Sequence, residues 1–152
     1  MRSAGNLYSW FAAAVALSTA AVPAFAEDAT PPRSLVPRSL YIELNAAQAS
    51  EKGCRLTFVV TNGLDTGISS AAFELALFNA QGVVDRLTVL EFRDMPAGKT
   101  KVSRFDLAGV ECGRISRILI NTATTCAGEG VGAADCMRVI RTSTKTDIAF
   151  GV

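Results

Sequence analysis

From residue 40 onward, apolar and polar positions alternate in short runs bounded by turn-forming residues, the pattern of half-buried β-strands. It predicts strands over 40–44, 55–62, 72–79, 83–92, 100–107, 114–121 and 146–150. In the second, Leu56, Phe58 and Val60 alternate with Arg55 and Thr57; in the third, Phe73, Leu75 and Leu77 alternate with Glu74 and Ala76. Asn79-Ala80-Gln81-Gly82 reads as a tight turn into the fourth, where Asp85, Leu87 and Val89 share one parity and Leu90 takes the other. Asp94-Met95-Pro96-Ala97-Gly98 supplies the next turn, proline presetting φ and glycine accepting φ > 0. The sixth strand is apolar on both parities toward its end, which suits a central strand. Between Cys126 and Thr142 the alternation lapses, and 133–140 predicts a short helix within a long loop. Residues 146–150 then close the domain as an edge strand.

The N-terminus follows a different pattern. Arg2 is its one charged side chain before an apolar run through residues 10–17, and Ala24-Phe25-Ala26 sets small residues at −3 and −1 before Glu27. Residues 1–26 therefore read as a secretory signal peptide. Ser18 and Thr19 break the run, leaving it short of the roughly 18–20 apolar residues that span a bilayer. The lack of a twin arginine points to the Sec route, and the lack of a cysteine after the site argues against a lipoprotein. Residues 27–39, rich in proline, form a flexible leader; Leu35-Val36-Pro37-Arg38 resembles a trypsin-like protease site but reads as native linker. The expected product is periplasmic or secreted, with no stable membrane insertion after cleavage.

Composition narrows the chemistry. The chain has 152 residues, 49% of them hydrophobic, which fits one globular domain at 40–152. It has 15 Lys and Arg against 14 Asp and Glu, and loss of Arg2 with the signal peptide makes the two counts equal. A neutral domain gives no reason to expect nucleic acid as a partner. There is no histidine, which removes imidazole bases, His-ligated metals and the common Ser-His and Cys-His nucleophile pairs.

The four cysteines, Cys54, Cys112, Cys126 and Cys136, all follow the predicted cleavage site, and an even count in an oxidising compartment predicts two disulfides. Three connectivities are possible. The Gly-rich stretch 127–132 favours Cys126–Cys136 by closing a short loop, which leaves Cys54–Cys112. The spacings are not CxxC, so neither a thioredoxin-like centre nor a zinc ribbon is indicated.

Seven strands in about 110 residues is the immunoglobulin-like count, and the expected fold is an all-β, seven-stranded, immunoglobulin-like antiparallel sandwich with a short helix or long loop before the last strand. With strands alternating up and down, Cys54 and Cys112 head strands of the same direction and lie at one end, in keeping with their pairing. The core Trp and mid-strand cysteines of antibody domains are absent. The run Leu56–Gly63, the run Phe73–Gly82 with Leu77-Phe78-Asn79, and Pro96-Ala97-Gly98-Lys99-Thr100 before Phe105 resemble small exported β-sandwich domains of the FxLYD type. The whole also looks like uncharacterised exported alphaproteobacterial proteins. The resemblance covers roughly residues 54–107 and implies a periplasmic sandwich without any catalytic residue.

Candidate chemistry is sparse. Asp85, Glu91, Asp94 and Asp106 fall in or beside strands four and five, but the interspersed Arg86, Arg93 and Arg104 predict solvated ion pairs rather than a facing carboxylate pair. Ser69, Ser70, Ser103, Ser116 and Ser143 have no nucleophile motif. Met95 and Met137 are too few for a copper site, no calcium loop is present, and Gly128, Gly130 and Gly132 precede no phosphate-loop lysine. The expectation is a non-enzymatic protein without cofactor that binds an envelope protein or polysaccharide, by loop 121–145 or by an edge strand at 40–44 or 146–150. A disulfide-fastened cap over one end of the core is the competing role for that loop. A hydrolase using paired carboxylates or an unrecognised metal is the alternative class.

Overall fold

The computed structural model describes residues 38–152, so the signal segment and nearly all of the leader lie outside the described residues. Two four-stranded sheets pack as a sandwich. The strands are β1 (Leu40–Ser50), β2 (Gly53–Asn62), β3 (Ile68–Phe78), β4 (Val84–Met95), β5 (Thr100–Ala108), β6 (Arg117–Gly128), β7 (Ile140–Thr144) and β8 (Ala149–Gly151). One sheet runs β5-β2-β1-β7 and the other β4-β3-β6-β8. A single helical turn at Cys112–Arg114 leads into β6, and helix α1 (Ala133–Val139) lies between β6 and β7.

Alternation builds the core. Leu56, Phe58 and Val60 of β2 and Phe73, Leu75 and Leu77 of β3 are all buried, facing one another across the sandwich. Phe58 is the hub: its ring meets Phe92 edge-on at 5.6 Å and lies 5.6 Å from Phe150 and 6.0 Å from Phe105. Such edge-to-face contacts add about 0.5–1.5 kcal/mol each beyond area burial.

Several expectations are corrected. The described residues form eight strands rather than seven, because Ile140–Thr144 forms β7. Its sequence hides it: only Ile140 is apolar, and as a sheet edge it buries little else. The sandwich is mixed rather than antiparallel, since β7 pairs in parallel with β1 and β8 in parallel with β6. Residues 40–44 consequently lie inside a sheet, between β2 and β7, and not at its edge. Nor is 121–145 a long loop. β6 continues to Gly128 through register shifts opposite Ala72/Phe73 and Glu74/Leu75, and those bulges broke the alternation that the sequence pattern relies on. The short helix is present as α1 and β6 is a central strand, while the 146–150 edge strand is reduced to the three residues of β8, with 146–148 outside it.

Backbone geometry fixes the ends. Gly53 opens β2 at φ 145°, and a Cβ there would sit 2.3 Å from the Leu107 carbonyl oxygen. At the β3–β4 turn the Asn79 side-chain oxygen accepts from the N–H groups of Gln81 and Val83, both at 3.0 Å, while Gly82 takes φ 74°.

Candidate interaction surface

Both disulfides form with the expected pairing. Cys54–Cys112 ties the start of β2 to the turn that enters β6, joining the two sheets at one end. Cys126–Cys136 fastens α1 to β6, with Cys136 fully buried and Ala133, Met137 and Val139 packed on the core. The 121–145 segment is thus an ordered strand, cap and strand. Disulfides form and persist in oxidising compartments, so both bridges point to an extracytoplasmic setting. Among the described residues, no helix is long and apolar enough to cross a membrane.

The acidic residues do not converge. Asp106 makes a two-pronged ion pair with Arg55 at 3.0 Å, which, with Ser50, holds its carboxyl below the usual range. Glu91 is held low by Arg93 at 2.5 Å and by the Ser70 hydroxyl at 2.8 Å. Asp85 and Asp94 lie 4.0 Å from Arg114 and Lys101 respectively. The serines are also engaged: Ser69 donates to the Ala127 carbonyl, Ser116 to that of Asn79, and Ser143 shares a bond with the Tyr41 hydroxyl. Ser103 stands opposite Phe58 on β5. Met95 is in the core, and Gly128 bridges to Val131 in a tight turn containing Gly130. Among the described residues, no three His, Cys, Asp or Glu side chains gather to hold a metal. A recess of about 50 Å³ lined by Phe78, Asp85, Glu111 and Arg114 is far below the ~300–1,000 Å³ of typical small-molecule sites.

The surface that stands out is apolar. Sandwich proteins blunt their edges with short strands or charge. Here β8 has 3 residues, β7 has 5 and carries Arg141, and β5 carries Lys101, Arg104 and Asp106. The remaining edge, β4, has 12 residues, and its outward positions include Leu87 and Val89, 57% and 52% exposed. Val83 and Val84 at the start of the strand are exposed as well. Strand register carries the apolar row across the sheet, because Leu87 stands beside Ala76 and Ala76 beside Leu119, which projects outward between buried Ile118 and Ile120. Polar pairs frame it: Glu74 accepts from Asn121 at 2.6 Å, the Arg117 guanidinium covers Phe78 at 5.1 Å, and Glu91–Arg93 lies farther along β4. An apolar centre with a polar rim is the anatomy of a protein-binding patch.

Sequence reasoning missed this patch. The signal was there, since β4 is apolar on both parities (Leu87 and Val89, then Leu90 and Phe92), but which parity is covered depends on strand order. A scan of protein-family models and searches among curated proteins and solved structures found no match to this chain.

Proposed function

We propose that the chain is an exported, non-enzymatic sandwich module that docks a protein of the cell envelope on the outer face of the β4-β3-β6-β8 sheet. The observation that carries this is the exposure of Leu87 and Val89 on the one long edge strand that lacks charge at its middle. The aliphatic lining suits a protein surface. Two disulfides support an oxidising destination, as does the sequence pattern of residues 1–26. An immunoglobulin-like kinship is supported by the first six strands: β5-β2-β1 follows the E-B-A order and β4-β3-β6 the C′-C-F order of such sandwiches. The parallel β7 and β8 are where the chain departs from that scheme.

Photo-crosslinking tests the reading. A photoreactive residue placed at Leu87 or Leu119 in cells should yield a protein adduct, while one at Thr57, on the outer face of the other sheet, should not. Equal labelling at all three positions, or none at Leu87 and Leu119, overturns it. N-terminal sequencing of the mature protein should begin at Glu27.

A further inference from the structure

Resting on that reading of the surface, we infer that the free edge of β4 pairs with β4 of a second copy, antiparallel about a two-fold axis at Val89. An edge strand presents unpaired N–H and C=O groups, and among the four edges only β4 is both long and uncharged at its centre. In a two-fold pairing, opposed residues sum to a constant, so each placement of the axis makes a definite set of pairs. At Val89 the axis sets Val89 against Val89 of the other copy and Asp85 against Arg93 at each end. Leu87 stands against the partner's Glu91, whose carboxylate keeps Arg93 and Ser70 as its own partners, and lies diagonal to the partner's Val89. Moving the axis to Thr88 sets Asp85 against Glu91, a like-charge clash made twice. Moving it to Leu87 sets Asp85 against Val89, desolvating the carboxylate without a partner. Of these three placements, only the Val89 register opposes unlike charges.

The neighbouring groups fit. Glu91 is already engaged by Arg93 and Ser70, so Arg93 is placed to bridge Glu91 of its own strand and Asp85 of the other. Lys101 of β5 donates to the Arg93 carbonyl at 2.7 Å, so at this end the pairing rests on side-chain charge, with Lys101 adding a cation where Asp85 of the second copy arrives. The product is one continuous sheet through both copies. It leaves Leu119 of each copy on a shared outer face, available to the envelope partner.

Sedimentation velocity on the full chain with both disulfides formed is the test, run beside thermal melts to verify folding. The wild type should dimerise in the micromolar range and Val89→Lys should be monomeric with an unchanged melt, since Val89 is exposed. Asp85→Arg should weaken the dimer about tenfold, and adding Arg93→Asp should restore it to near wild type. A monomeric wild type, or a dimer indifferent to Val89→Lys, overturns the inference. So does failure of the double charge reversal to rescue. A monomeric wild type that still crosslinks a different protein through Leu119 removes the self-pairing alone, whereas silence at Leu119 removes the docking reading itself.

Discussion

The side-chain amide of Asn62, at the end of β2, donates a 2.9 Å hydrogen bond to the carbonyl oxygen of Met95, at the end of β4 in the opposite sheet. The same nitrogen donates to the Thr66 carbonyl at 2.9 Å, and the side-chain oxygen accepts from the Leu64 N–H at 3.0 Å. Asn62 is fully buried, so one satisfied amide joins the two sheets and the loop between β2 and β3. Asn62→Asp keeps the shape but turns a donor into an acceptor facing two carbonyls. It should destabilise by about 3 kcal/mol or more in urea titrations, and Asn62→Leu by a similar amount. Wild-type stability in either variant would deny the amide its bolting role.

Gly53 is the second rigid point. Its left-handed φ and the 2.3 Å approach to the Leu107 oxygen leave no room for a side chain, and the obstacle is backbone. Gly53→Ala should cost at least about 2 kcal/mol, and the β2–β5 amides next to it should lose hydrogen-exchange protection first.

The two disulfides should differ in weight. Their sequence separations are 58 and 10, so chain-entropy reasoning assigns about 4 kcal/mol to Cys54–Cys112 and about 3 kcal/mol to Cys126–Cys136. Paired alanine replacements compared by urea unfolding would measure this, and mapping of unreduced peptides should find these two links. The reverse order of stability would show that α1 docking outweighs loop closure.

Stability should be flat through neutral pH. The chain has no histidine, and three carboxylates sit below their ordinary range: Asp106 beside Arg55, Glu91 beside Arg93, and Asp135, which accepts from the Gly132 N–H and from Arg138. A carboxyl depressed in the folded state stabilises fully above its unfolded value, near ~4, and that contribution fades as pH falls through the lower folded value. The urea midpoint should hold from about pH 6 to 8 and drop only below about pH 4. A transition near neutrality would require a titrating group that these residues do not supply.

Legibility in the sequence followed burial. β2 and β3 announced themselves because each buries one parity in full, and Leu56, Phe58, Phe73 and Leu75 lie where alternation put them. The cysteine pairing followed from a flexible glycine run and from two strand starts sharing an end. β7 was illegible because its place depends on hydrogen bonding to β1, as in the Tyr41–Ser143 contact, rather than on apolar content. Asn62 could be read only as a strand terminus, since its partners at Thr66 and Met95 come together through tertiary structure. The exposed apolar face at Leu87 and Val89 depended on which strand became an edge, a property of topology rather than of local sequence.

The parallel union of β1 with β7 also constrains the order of assembly. Glu43 and Ser143, in register across that pair, lie 100 residues apart in the chain. A polypeptide emerging N-terminus first from a ribosome therefore exposes one flank of β1 until residues 140–144 appear. Contacts of such long range form slowly. The β1–β2 and β3–β4 hairpins can form early, but the first sheet is completed only once β7 follows.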